Sequence, residues 1–164
     1  MEIRRFSKGE GARFRELRLR ALRDAPFAFA SWFERERSRT LSEWEAIALG
    51  NAWDQPMAVF VAADGDQWLG MAGGYLDGDR PGVAGLWGMW VAPEARRQGV
   101  GRHLVEAVVD RGRAAAASRL ELSVTDRADA AIALYRELGF VPTGEQQPLA
   151  KDESITELFL ARPI

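Results

Sequence analysis

The stretch Arg96-Arg97-Gln98-Gly99-Val100-Gly101 stands between a run with strand character, Leu86 to Val91, and a run with helical character that begins near Gly99. A strand that passes into a helix through glycines fixes a strand–loop–helix unit, and no other segment constrains the fold as much. Glycine carries no side chain to hold a ligand away from the backbone. The first turn of the helix presents unpaired N–H groups, and the aligned peptide dipoles add partial positive charge there. The junction is therefore an expected anion site, suited to a phosphate or pyrophosphate. Arg96, Arg97 and Arg102 add charge around it. A P-loop would end in Gly-Lys-Ser/Thr, and no such ending follows. A dinucleotide-binding Rossmann fingerprint needs a third glycine where Leu104 stands. It also needs an acid about 20 residues further on, whereas Glu121 lies early in its strand, between Leu120 and Leu122.

With those two patterns set aside, the segment Trp90-Val91-Ala92-Pro93-Glu94-Ala95-Arg96-Arg97-Gln98-Gly99-Val100-Gly101-Arg102-His103-Leu104 resembles the acetyl-CoA signature of the GNAT superfamily of N-acetyltransferases. That signature is Arg/Gln-x-x-Gly-x-Gly/Ala after a strand ending in Val-x-Pro. A second segment, Ala131-Ile132-Ala133-Leu134-Tyr135-Arg136-Glu137-Leu138-Gly139-Phe140, resembles the superfamily's C-terminal motif, a short helix ending in Leu-Gly-Phe. The two occur in the family's order. The resemblance covers residues 57 to 145, and the N-terminal third matches only loosely.

The rest of the chain bounds the function. Its 164 residues suit one domain spanning 1–164. A net charge of −2 supplies no basic field for nucleic acid. Arginines are dense between Arg4 and Arg39, but acids are mixed among them, which reads as a solvated, salt-bridged helical surface. The absence of cysteine excludes disulfides, thiolate metal sites and a cysteine nucleophile, and no metal is expected. No long apolar run follows Met1-Glu2-Ile3-Arg4-Arg5, and no stretch approaches the roughly 20 apolar residues that span a bilayer. Both point to a cytoplasmic protein with no membrane partner.

Periodicity and turn residues divide the chain. Glu2 to Phe6 reads as a strand. Ser7 and Glu10 form a capping box for a helix with Phe14, Leu17, Ala21 and Leu22 on its apolar face, ended by Asp24-Ala25-Pro26. Phe27 to Phe33 reads as an aromatic loop. Ser42 to Glu45 reads as a second capping box, opening a helix to Leu49 that Gly50-Asn51 stops. Met57 to Ala63 and Trp68 to Leu76 are strands joined by an Asp64-Gly65-Asp66 hairpin turn. Then come a loop at Asp77 to Gly82, a strand at Ala84 to Val91 and a helix at Gly99 to Ala117. A strand at Leu120 to Val124, a helix at Asp129 to Leu138, and strands at Phe140 to Gly144 and Ile155 to Leu160 complete the chain. The order predicts an α/β fold of α+β type, with a mixed central sheet of about seven strands and about four flanking helices. The resemblance implies the same order and adds a splayed strand cleft.

In the family, the strand before the glycines parts from the next parallel strand, and the pantetheine arm of acetyl-CoA lies between them. Carried over, Met89, Trp90 and Val91 bind pantetheine through main-chain atoms. Arg96, Arg97, Gln98, Gly99, Val100, Gly101 and Arg102 take the pyrophosphate, chiefly through backbone N–H groups. A β-branched side chain at Gly99 or Gly101 would occupy the ligand's space. Gly88, inside a strand, predicts a bulge or a close backbone approach. Tyr135 matches the tyrosine that protonates the leaving thiolate, and a phenol of ordinary pKa about 10 suits a thiol of about 8.5; a packing role would also place a tyrosine there. Ala128 stands where the family often has a cofactor-contacting asparagine, which leaves Asp126 or Asp129 as helix caps. For the general base, Glu121, Glu34 and Glu36 are the candidate carboxylates, and His103 reads as a helix residue.

Phe27, Phe29, Trp32, Phe33 and Trp44 could wall an acceptor pocket, with Phe29 and Trp32 foremost, or form core or a homodimer interface. The expected activity is acetyl transfer from acetyl-CoA to a primary amine by direct attack, since no cysteine or Ser-His pair suggests an acyl-enzyme. The alternatives are a non-catalytic acetyl-CoA sensor module of the same fold and a nucleotide-binding oxidoreductase.

Overall fold

The computed structural model describes residues 1–50 and 56–164. In chain order it contains β1 (Glu2–Arg5), α1 (Gly11–Asp24), α2 (Phe33–Arg37), α3 (Leu41–Ala48), β2 (Pro56–Asp64), β3 (Gln67–Leu76), β4 (Val83–Val91), a 3-10 turn (Pro93–Ala95), α4 (Val100–Ala114), β5 (Arg119–Thr125), α5 (Asp129–Glu137), β6 (Val141–Leu149) and β7 (Asp152–Pro163). The strands form one sheet in the order β1-β2-β3-β4-β5-β7-β6, parallel only between β4 and β5. This is the expected mixed sheet. The described residues add one helix to the four expected: α2 is a single turn, too short to show a periodicity.

Capping follows tertiary structure more than local sequence. The Ser7–Glu10 box does not cap α1. Its Glu10 carboxylate accepts from the Ser7 N–H at 2.7 Å and pairs with Arg4 at 2.8 Å, while α1 begins at Gly11. The Gly11 N–H donates instead to Glu45, 2.7 Å away on α3. Glu45 is thus spent on another helix, and the α3 box forms two residues upstream of expectation. Thr40 accepts from the Glu43 N–H at 3.3 Å, and Glu43 accepts from the Thr40 N–H at 2.7 Å. Asn51, expected to stop α3 with Gly50, lies outside the described residues.

The sheet is covered on both faces. Val100, Leu104, Val105, Val108 and Val109 of α4 pack on Ala62, Ala72, Leu86, Leu120 and Leu122. On the other face Phe14, Leu17 and Leu22 of α1 and Trp44 of α3 pack on Val59, Val61, Met71 and Trp90. Burial on both sides explains why β2 reads as an apolar run with no alternation. Strand β6 was expected to end at Gly144 but runs to Leu149. It is an exposed edge strand containing Pro142 and Pro148, which an edge tolerates and an apolar signal cannot reveal.

Two irregularities in β4 shape the site. Trp87 pairs with Gly73 and Trp90 with Met71, so Gly88 and Met89 together face Ala72. Gly88 makes this bulge with φ +63°, a conformation that favours glycine. On its other edge β4 pairs with β5 at Val83–Arg119, Ala84–Leu120 and Gly85–Glu121 and no further. Beyond that point β4 continues along β3 to Val91, while β5 continues along β7 to Thr125. The two parallel strands therefore splay toward their C-terminal ends.

Candidate active site at the strand split

The split leads to the start of α4. After β4 the chain makes the 3-10 turn, turns through Arg97 at φ 64° and Gly99 at φ 82°, and enters the helix with Gly99 as N-cap. The N–H groups of Val100, Gly101 and Arg102 are the first of α4 and find no partner within the helix. The two glycines differ in role. A Cβ on Gly99 would meet nothing nearer than His103 at 3.6 Å, so the backbone conformation is what requires glycine. A Cβ on Gly101 would lie 2.8 Å from Met89 Cε and 2.9 Å from Leu134 Cδ2. Gly101 therefore seats α4 against β4 and α5, and protein atoms already occupy the space the sequence reading gave to a ligand.

The polar side chains of the motif are largely committed to the protein. Arg96 donates through Nε to the Val91 carbonyl at 3.0 Å and forms an ion pair with Asp24. The same Asp24 accepts from Trp90 Nε1 at 2.9 Å, tying α1 to the end of β4. Gln98 Nε2 donates to the Glu94 carbonyl at 3.0 Å, and Arg102 pairs with Glu137 of α5 at 3.3 Å. Arg97 is exposed and makes no ion pair among the described residues. His103 lies on α4 with Nδ1 2.9 Å from the Gly99 carbonyl, as a helix residue.

Met89, Val91 and Tyr135 join one apolar cluster with α4, whereas Trp90 turns its ring to the α1 face. Tyr135 is 5% exposed and stacks edge-on against Phe140 at 5.7 Å. Burial pushes its phenol well above the ordinary value, so the hydroxyl keeps its proton. Helix α5 begins after Ala128 with no side-chain cap, so neither Asp126 nor Asp129 caps it.

Glu121 sits on the last rung before the split, held by Arg119 at 2.8 Å and Arg80 at 2.9 Å. Glu34 is exposed and pairs with Arg37 at 3.1 Å, and buried Glu36 pairs with Arg39 at 2.7 Å. Phe29 is buried in the α1 core, and Trp32 stands 55% exposed at the start of α2. The floor on the α1 face is aromatic: the Trp87 ring lies across Gly73, and the Tyr75 ring lies across Gly85.

Sequence reasoning missed two residues on that face. Glu157 of β7 is 8% exposed and accepts from Ser123 Oγ at 3.2 Å and Gln147 Nε2 at 3.0 Å, with no ion pair among the described residues. It shares a sheet face with Ile155 and Phe159, two positions to either side, and that apolar spacing could have marked it as inward. Arg18 was counted with a solvated surface but is buried. The helical spacing could have found it, since Phe14, Arg18 and Leu22 lie on one stripe at i, i+4 and i+8.

Residues 18–140 match the acetyltransferase (GNAT) family, a span reaching further toward the N-terminus than the two motifs. An IAA acetyltransferase from Azospirillum brasilense is 38% identical over 76 residues, 46% of this chain and 48% of that protein. An L-2,4-diaminobutyric acid acetyltransferase from Halomonas elongata is 31% identical over 97 residues, 59% of this chain and 50% of that protein. The chain thus spans about half the length of the curated relatives it matches. Among solved structures, a GCN5-related N-acetyltransferase from Kribbella flavida superposes with a TM-score of 0.78 at 22% identity, covering 99% of this chain and 97% of that one. The Salmonella typhimurium protein yncA, solved with its cofactor acetyl-CoA, gives a TM-score of 0.75 at 21% identity, covering 99% and 93%. These share the fold.

Proposed function

Because the chain belongs to the acetyltransferase (GNAT) family of acyltransferase enzymes, we propose that it transfers acetyl from acetyl-CoA to a primary amine by direct attack. The observation that carries this reading is the parting of β4 from β5 after Gly85, in line with the uncapped start of α4. The split leaves one edge of Leu86 to Val91 without a strand partner, and such edges recruit extended ligands through main-chain hydrogen bonds. Pantetheine would lie along Met89, Trp90 and Val91. The pyrophosphate would meet the N–H groups of Gly99 to Arg102, with the Arg97 guanidinium beside it. Arg96 and Gln98 shape the loop through the contacts they make to Asp24, Val91 and Glu94.

In the proposed reaction the amine nitrogen forms a bond to the acetyl carbon and the carbon–sulfur bond breaks. A carboxylate takes the amine proton, and the Tyr135 hydroxyl gives a proton to the departing thiolate. Glu121 and Glu157 are the two candidates for the base. Both stand on the α1 side of the sheet, where alternation places Glu121, Ser123 and Thr125 of β5. The acceptor would enter from this side, between the aromatic floor and the segment containing Phe29 and Trp32. The Halomonas elongata relative, named for a small diamino acid, supports a small-molecule acceptor.

Two measurements test the reading together. At 100 times its Kd, acetyl-CoA should stabilise the protein against unfolding by about 2.7 kcal/mol, and NAD should not. A panel of primary amines should then release free CoA. Stabilisation by NAD alone sinks the assignment, and stabilisation by acetyl-CoA without CoA release from any amine returns the sensor reading.

A further inference from the structure

One buried cation is held by aromatic rings with no counter-ion bonded to it among the described residues. Arg18 is carried inward by the apolar stripe of α1 and is 5% exposed. Its guanidinium lies 4.3 Å from the Phe29 ring centroid and 6.0 Å from that of Trp87. Nη1 makes no hydrogen bond, and Nη2 reaches only Ser31 Oγ at 3.5 Å, beyond the range of a good hydrogen bond. Among the described residues Arg18 has no ion pair. Glu36, whose field reaches it, is bonded to Arg39 at 2.7 Å. A second cation stands close by. Lys151, between β6 and β7, donates to the carbonyls of Pro26 and Ser31, the latter at 3.2 Å. Burial, and then the charge of Arg18, lower the Lys151 ammonium. Burial likewise lowers Arg18 to about 10, which leaves it charged at neutral pH.

An uncompensated buried charge is strongly destabilising. Rules broken in this way are expected where a ligand supplies what the chain omits. The position fits a ligand. Arg18 Nη1 stands 3.5 Å from where a Cβ on Gly88 would be, so the guanidinium overlies the β4 bulge at the head of the strand split.

We propose that Arg18 receives a carboxylate of the acceptor, so that the substrate is an amino acid or another small amine bearing an acid group. This rests on the acetyl-transfer reading for the place of the amine. Pantetheine following β4 back from Val91 to Met89 brings its thioester end to the bulge, and an amine attacking there lies beside Arg18. The planar guanidinium fork matches a carboxylate with two parallel hydrogen bonds. Lys151 adds positive potential, and the Phe29 and Trp87 rings flank the guanidinium.

The test compares acids with their neutral analogues. β-Alanine, 4-aminobutyrate, L-ornithine and L-lysine are each set against the corresponding carboxamide on the CoA-saturated protein, by calorimetry and by CoA release from acetyl-CoA. At least one acid should bind roughly 10- to 100-fold more tightly than its amide. Arg18→Met should remove that difference while acetyl-CoA still titrates, and its unliganded melting temperature should not fall, since an unpaired charge has been replaced by an apolar chain. Should Arg18→Met fail to fold, Arg18→Lys, which keeps the charge and loses the fork, should still lose most of the difference. Equal binding of acid and amide throughout, or a preference that survives both substitutions, overturns the proposal. Binding that prefers the acid with no CoA release would refute the catalytic reading and leave the Arg18 assignment standing. CoA release with no preference would do the reverse.

Discussion

Tyr135 keeps its hydroxyl protonated across the neutral pH range, as the proposed donor must. Its hydroxyl is raised by burial alone. Tyr135→Phe keeps the ring against Phe140 and removes the hydroxyl. We expect kcat to fall roughly 10- to 1,000-fold with acetyl-CoA affinity little changed, because the proton transfer belongs to the transition state. Single-turnover kinetics, which separate chemistry from product release, check this; an unchanged rate removes Tyr135 from the mechanism. The same burial has a stability consequence. A phenol whose folded pKa exceeds its unfolded value of about 10 contributes stability below that pH and loses it above. Thermal melts between about pH 9 and 11 should therefore show wild type losing stability that Tyr135→Phe retains. For the base, Glu121→Gln and Glu157→Gln divide the candidates, and the true base should cost about 10²- to 10⁴-fold in kcat. At this scale the sequence was legible where a motif named a residue. It was silent on which acids are spent in ion pairs, as Glu121 is, because Arg80 and Arg119 reach it only in the folded chain.

Elements were legible in order and type, and less so at their ends. The two glycines of the motif predict different outcomes. Gly99→Val forces a β-branched residue to φ 82°, costing about 1–3 kcal/mol and distorting the helix start, so acetyl-CoA affinity should fall more than about tenfold. Gly101→Val pushes against Met89 and Leu134 and should cost a further 1–3 kcal/mol or so through overpacking, visible as a lower melting temperature before any ligand is added. A wild-type acetyl-CoA titration from Gly99→Val would contradict the site. Thr40→Ala should destabilise the protein by about 1 kcal/mol, measured by urea unfolding, because it removes a cap that was read at Ser42. The misplacement has a physical source. Glu45 fits a local box as well as Glu43 does, and only the approach of α1, with its uncapped Gly11 N–H, decides between them. Strand β6 was underestimated for a related reason: its partner β7 supplies the pairing that its own polar, proline-containing sequence does not advertise.

Over the whole molecule, three rungs between β4 and β5 are, among the described residues, the strand pairing that joins a four-stranded half, β1 to β4, to a three-stranded half, β5 to β7. Helix α4, packed on residues of both halves, and contacts such as Arg80–Glu121 add further ties. No helix among the described residues is long and apolar enough to cross a membrane. The sequence announced the seven strands and, through the family resemblance, the splayed cleft, but not how few rungs remain across the seam. Seams are where native proteins open below the threshold of global unfolding. We therefore expect two cooperative units sharing a short weld, with a molecule lodged between β4 and β5 acting as a splint across it. In hydrogen–deuterium exchange, the amides of Leu122 to Thr125 bonded to β7 and those of Leu86 to Val91 bonded to β3 should exchange as two groups with separate opening free energies. Saturating acetyl-CoA should merge them into one slower class, and two groups that keep their separate rates under saturation would show that the halves are not bridged there.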